Sequence, residues 1–196
     1  MNAAELLLGE AALARHGGRS ALICGEQSLT YSELAARVAR AAGAFAALGV
    51  RPGDRVLFLM RDTPDFAAAW LGAIRAGAVA VALNDKLSDG ELDHAAGDCT
   101  PRLAVVDREF THRRLAGVKT IFSLEFMETA ARGAAASAID ADGEAPAFIK
   151  GTHDRGAPRS LDRDHARAAR ADPPERLHLV ERLPHADQAR ASARRV

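Results

Sequence analysis

Two alternating periodicities organise the apolar residues of the first 150 positions. Leu34, Val38, Ala41, Ala42, Phe45 and Leu48 recur at three- and four-residue spacing, the stripe of an amphipathic helix. Thr30 and Glu33 have the spacing of a capping box at its start, with Ser32 as the other cap candidate, and Gly49 is placed to end it. Segments 56–60, 79–83 and 103–106 are instead apolar throughout, as strands buried on both faces are. Between the first two, Asp62 or Thr63 with Pro64 opens a second helix that Gly77 closes. Ser88 caps a short helix ending near Gly97. Residues 118–122 read as a fourth short strand, followed by a helix over 123–132. Ahead of all these, residues 2–15 read as one amphipathic helix with Leu6, Leu7 and Leu13 for its apolar face, ended by Gly17-Gly18. Short strands at 21–24 and 29–31 flank a turn at 25–28. Fully apolar strands alternating with helices predict an α/β layered sandwich, a mostly parallel sheet covered by helices on both faces.

The pattern changes at Gly133. The Ala/Gly/Asp-rich stretch 133–145 reads as a linker, and 146–150 as one last strand. No aromatic residue follows Phe148, and the last 46 residues hold ten arginines, seven acids, four of the seven histidines and no lysine. So little apolar surface cannot offset ordering entropy. The chain therefore divides into a domain over 1–150 and a tail over 151–196, predicted largely disordered with a short helix near 162–171.

A chain of 196 residues suffices for one domain with a core. Its 26 basic and 26 acidic residues cancel, so no global field favours nucleic acid or an anionic membrane. The tail's interspersed acids and missing aromatics argue the same. Cys24 and Cys99 have no metal-ligand spacing and read as thiols of a reducing compartment. The apolar run 6–8 is too short for a signal-peptide core and nothing approaches a membrane span, so a cytoplasmic protein is expected.

The wording of the ordered part is distinctive: Leu29-Thr30-Tyr31-Ser32-Glu33-Leu34, then Leu48-Gly49-Val50-Arg51-Pro52-Gly53-Asp54-Arg55-Val56, then Leu71-Gly72-Ala73-Ile74-Arg75-Ala76-Gly77-Ala78-Val79 running to Leu83-Asn84. Over residues 10–150 it resembles the N-terminal part of the adenylate-forming superfamily, the AMP-dependent acyl- and aryl-CoA synthetases and ligases. Arg61-Asp62-Thr63-Pro64-Asp65-Phe66 and Ala82-Leu83-Asn84 resemble the CoA ligases more than peptide-synthetase domains. The resemblance implies a carboxylic acid, ATP and magnesium (Mg) reacting to an acyl-adenylate, which CoA then captures.

It also implies a phosphate loop of small residues directly after a strand, whose backbone N–H groups hold the triphosphate. The matching position follows Lys150. Gly151, Thr152, Gly156 and Arg159 match that loop in kind, while His153-Asp154-Arg155 replaces small hydroxyl residues and Asp154 adds an anion. Arg159 stands where lysine is usual. These four residues are a degraded remnant of the loop. The later family segments, for adenine, magnesium and ribose, and the C-terminal domain with its lysine, are not in the sequence. With GC-rich codons, 153–158 can be encoded so that reading one base later gives Thr-Thr-Gly-Ala-Pro, the family's loop. A frame change near Lys150 is the leading explanation.

Other chemistry is thin. His94, beside Asp93, reads as a surface residue rather than a base. His112 with Arg113 and Arg114 could form an anion site but reads more simply as a solvated turn. His153, Asp154, Asp164 and His165 could be drawn as a metal cluster, in a segment without a core. Trp70 reads as core packing or a pocket wall. The sequence thus points to the N-terminal fragment of an ATP-dependent acyl- or aryl-CoA ligase, inactive alone. The alternatives are one subunit of a split ligase, whose bare interdomain surface would need a complementing subunit or self-association, and a non-catalytic binding or regulatory module on the same scaffold.

Overall fold

The computed structural model describes residues 2–113, 115, 117–140 and 146–150. The tail, its suggested helix and the loop residues Gly151, Thr152, Gly156 and Arg159 lie outside the described residues. Two short helices, α1 (Ala3–Leu8) and α2 (Glu10–His16), precede a hairpin of β1 (Ser20–Cys24) and β2 (Gln27–Thr30). Then follow α3 (Tyr31–Ala47), β3 (Arg55–Leu59), α4 (Pro64–Arg75), β4 (Val79–Ala82), α5 (Asp89–Cys99) and β5 (Leu103–Val106). A 3-10 turn (Arg108–Phe110), β6 (Thr120–Phe122), α6 (Ser123–Arg132) and β7 (Phe148–Lys150) complete the order.

Strands β3 to β7 form one five-stranded, all-parallel sheet in the order β6-β5-β3-β4-β7. The α/β sandwich is as expected. Successive side chains of a strand point to opposite faces, and β3 uses this fully. Val56 and Phe58 enter a core with Phe45 of α3, Ile74 of α4 and Phe126 of α6. Leu57 and Leu59 enter a second core with Leu92 of α5 and with Phe110 and Leu115. That is why these strands are apolar at every position.

The helix caps form where the sequence placed them. Thr30 and Glu33 make a reciprocal capping box at α3, and Thr63 caps α4 with Pro64 in its first turn. Ser88 and Glu91 make a second box at α5. The Glu33 carboxyl lies below its usual range because the Thr30 N–H and hydroxyl donate to it.

Two readings need correction. The segment 2–15 is not one helix: Gly9 is extended (φ −76°, ψ 174°) and splits it. Nor do Leu6 and Leu7 face inward, being 64% and 44% exposed, whereas Ala4 and Leu8 are buried. Asn2 sets this rotation. Its side chain is buried, accepts from the Ala4 N–H at 3.0 Å, and donates to the carbonyls of Ile74 at 2.8 Å and Ile139 at 2.9 Å. Pinned there, the first turn puts positions 4 and 8, one helical repeat apart, against α4.

The described part of the linker, 133–140, has no regular structure yet is fastened. Ala136 N–H donates to the Ala39 carbonyl at 2.9 Å, and Ile139 N–H to the Arg75 carbonyl at 3.0 Å. Arg75 Nε donates to the Ala136 carbonyl at 3.0 Å, and its guanidinium pairs with Glu5.

The two thiols differ in environment. Cys24 is exposed, while Cys99 is buried in the α5 core, and desolvation pushes the Cys99 thiol up to about 11. Only the thiolate attacks disulfide reagents. We expect Ellman's reagent to modify one thiol quickly at neutral pH and the second only on unfolding. Two equally fast thiols in the native protein would contradict the burial of α5.

Candidate functional site at the carboxyl edge of the sheet

Open parallel sheets bind ligands outside the carboxyl ends of their strands, where connections leave neighbouring strands in opposite directions. Here that point lies between β3 and β5. The chain leaves β3 through α4 towards β4, and leaves β5 towards β6 on the other side. Three loops meet there: the start of α4 after β3, residues 83–88 after β4, and Asp107 with the 3-10 turn after β5.

Arg61 joins all three. Its backbone N–H donates to Asp107 Oδ2 at 2.7 Å. Nε donates to Glu109 Oε1 at 2.6 Å, Nη2 to Oε2 of the same carboxylate at 3.3 Å, and Nη1 to Asp85 Oδ2 at 2.7 Å. The guanidinium also sits over the Phe110 ring, 5.3 Å from its centroid. Lys86 Nζ lies 3.6 Å from the same Asp85 oxygen. Arg113 secures the 84–89 loop from beneath, donating to the carbonyls of Asp85 (2.8 Å) and Leu87 and to Asp89 Oδ1 (2.9 Å). His112 is exposed in a turn as expected and Arg114 lies outside the described residues, so the correction to the reading of 112–114 concerns Arg113. Arg113 is neither a free anion ligand nor solvated, because its guanidinium is spent on one loop and its side chain is only 10% exposed.

The charge network sets the titration here. The hydrogen bond from Arg61 holds the Glu109 carboxyl below its usual range, and Glu109 in turn raises Arg61. A carboxylate lowered in the folded state contributes stability above its unfolded value of 4.5, and that contribution is lost as pH falls through the folded value. Arg61→Gln should therefore lower Tm modestly at pH 7, with the gap to wild type shrinking below about pH 4 and in high salt. A gap that stays constant across pH and salt would show that the network contributes nothing electrostatic.

The remaining candidates separate. His94 is half exposed on α5 and lies 3.9 Å from Asp98, one turn on, rather than against Asp93. Trp70 packs partly buried between the cores, 5.4 Å from the Phe148 ring. The β7 register pairs Ala82 with Lys150, so the chain arrives at residue 151 on this same carboxyl edge, beside β4. Reading the sequence alone missed the Arg61 hub. An arginine directly after a buried strand was the available signal, but its partners stand 24 and 48 residues away.

At the carboxyl edge the described residues do not by themselves compose a site for ATP or magnesium. Arg61 is neutralised by carboxylates rather than turned to a phosphate. Among the described residues no group of three His, Cys, Asp or Glu is arranged to hold a metal ion. No chemical step is assigned to these residues.

A family model described as AMP-binding enzyme matches residues 9–178. The chain belongs to the AMP-binding enzyme family. The match runs past Lys150 and takes in the positions of Gly151, Thr152, Gly156 and Arg159. The chain is 46% identical over 112 residues to the 3-hydroxybenzoate–CoA/4-hydroxybenzoate–CoA ligase of Thauera aromatica, covering 57% of this chain and 21% of that enzyme. It is 41% identical over 109 residues to the benzoate–CoA ligase of Thauera aromatica, covering 55% and 21%. In structure it is similar to a benzoate CoA ligase from Burkholderia xenovorans LB400, with a TM-score of 0.69 and 29% identity over 76% of this chain and 32% of that one. ATP-bound MatB from Rhodopseudomonas palustris gives a TM-score of 0.67 at 26% identity, over 76% and 32%. The chain thus spans about a fifth of the length of these curated relatives. Both of these curated relatives are CoA ligases, and the 196-residue chain is consistent with an N-terminal part of such an enzyme. Among the described residues no helix is long and apolar enough to cross a membrane.

Proposed function

We propose that these residues are the N-terminal part of a cytoplasmic aryl-CoA ligase. The reaction joins a carboxylic acid to CoA through an acyl-adenylate, with ATP and magnesium. The observation that supports this most is the 46% identity over 112 residues to a hydroxybenzoate–CoA ligase. In this reading residues 1–150 are a partial N-terminal domain whose carboxyl edge is scaffold. The loop residues Gly151, Thr152, Gly156 and Arg159 are the remnant of its phosphate element, and 151–196 is a tail without a catalytic role. The 196 residues alone neither adenylate nor form a thioester.

One feature favours a split ligase as the second reading. Strand β7 pairs only with β4 among the described residues, and Phe148 on it is 45% exposed. An open edge with an aromatic residue suits the addition of further chain, supplied by a complementing polypeptide or by self-association.

Sequencing the coding DNA from the codons of segment 133–140 to well past that of Val196, and translating three frames, separates the readings. The proposal expects the frame one base on to open into a glycine-rich loop and then the remaining ligase segments. Those segments in a separate neighbouring reading frame would support the split enzyme. Their absence from every frame would leave the non-catalytic module and overturn the ligase reading of this chain.

A further inference from the structure

We propose that the opposite, amino edge of the sheet is a separate anion-binding site for the phosphate chain of a small phosphorylated ligand. Strands β3, β5 and β6 are neighbours, and each begins beside a cation. Arg55 is the first residue of β3, Arg102 directly precedes β5, and Lys119 directly precedes β6. Backbone bonds fix their relative level, with Arg102 N–H donating to the Arg55 carbonyl at 2.8 Å and Ala104 N–H to the Lys119 carbonyl at 2.8 Å. Adjacent strands lie about 4.8 Å apart, so the three cations start from backbone positions spanning about 10 Å.

All three line one open cleft of about 560 Å³, together with Gly53, Asp54, Thr100, Pro101 and Gly117. Three arginines elsewhere in the fold are neutralised: Arg61 by Asp85 and Glu109, Arg75 by Glu5, Arg113 by Asp89. Arg55, Arg102 and Lys119 make no ion pair with a described residue. Asp54 is the single carboxylate among the described lining residues, and its Oδ2 accepts the Arg51 N–H at 2.9 Å. Three cations against one carboxylate in a shared cleft repel one another, and a polyanion relieves that repulsion.

The floor is open as well as basic. Gly53 and Gly117 have positive φ (84° and 75°), and a Cβ at either would meet nothing within 4 Å. Thr100 is held in the left-handed region at φ 42° as the cap of α5, a conformation that costs a β-branched residue energy and recurs where a site needs a particular chain path. Two guanidinium forks and one ammonium in a row suit an extended di- or triphosphate better than a single carboxylate. Strands of four or five residues place this cleft about 15 Å from the carboxyl edge, so it stands independently of the ligase reading.

Calorimetric titration of the 196-residue chain with inorganic tripolyphosphate at low salt tests the proposal. Arg102→Gln/Lys119→Gln is the site variant and exposed Arg40→Gln the control. Wild type and control should bind alike, with affinity falling as salt rises, and the site variant should lose about tenfold or more. Single Lys119→Gln, at an exposed position, should give an intermediate loss, which guards against misfolding of the double variant. Equal affinity in all four proteins would place the phosphate elsewhere, the segment after Lys150 included, and overturn the proposal. Absence of binding by the wild type would overturn it equally.

Discussion

Phe45→Ala is expected to lower the unfolding free energy by about 3–5 kcal/mol, the range for removing a large aromatic side chain from a tight core. Phe45 has no exposed surface and belongs to the core beneath α3, α4 and α6. Its ring lies 4.4 Å from that of Phe126 on α6, tilted by 34°, and 6.2 Å from that of Phe58 on β3, edge-on at 90°. One residue thus ties two helices to the central strand. Aromatic pairs of this kind add about 0.5–1.5 kcal/mol beyond their buried area. With few aromatic residues and many alanines in this core, little nearby volume can collapse into the hole. Domains of this size keep only about 5–15 kcal/mol in total, so a large part of the protein should be unfolded at moderate urea. Urea titration followed by circular dichroism reads this, and Phe45→Leu should recover much of the loss. A cost below about 1 kcal/mol would mean that α3 is not seated on the sheet as described.

Gly72 poses a contest between two effects of opposite sign. Alanine is a better helix former than glycine by about 1 kcal/mol, which alone would stabilise α4. Against this, a Cβ at Gly72 would lie 2.5 Å from Ala41 Cβ and 3.2 Å from the backbone of Ala41 and Ala42. The neighbour is the body of α3 rather than the end of a flexible side chain, so it cannot move aside cheaply. Overpacking of this kind costs about 1–3 kcal/mol. Gly72→Ala should therefore be net destabilising, and Gly72→Leu should cost more and push α3 and α4 apart. The consequence reaches the candidate site, because Arg61 and the cap Thr63 stand at the entrance of α4. Loss of the pH- and salt-dependent contribution of Arg61 in Gly72→Leu would report that shift. A rise in Tm for Gly72→Ala would show that the two helices are less closely apposed.

Local signals were the ones legible from residues alone. The Thr30–Glu33 box, the Ser88 cap and the Thr63-Pro64 start involve neighbours in sequence, so their chemistry is written in adjacent residues. Strand burial was legible for the same reason, since a strand covered on both faces must be apolar at each step. What escaped depends on distant partners. The rotation of α1 is set by Asn2 reaching Ile74 and Ile139, and the fastening of 133–140 by Ala39 and Arg75. Neither carries a periodicity. The Arg61 hub has the same character, one cation answering carboxylates on two other loops. The resemblance indicated where a phosphate loop belongs, at the carboxyl end of β7. The described residues deliver the chain to that edge and provide scaffold around it, and among them no group of three His, Cys, Asp or Glu is arranged to hold a metal ion.

ATP–pyrophosphate exchange by the purified 196-residue chain, with benzoate or 3- or 4-hydroxybenzoate as the carboxylate, tests most directly whether this scaffold has chemistry of its own. The account predicts exchange no greater than in a protein-free control, from a chain that circular dichroism shows to be folded. Exchange above that control that depends on both the carboxylate and magnesium would contradict it.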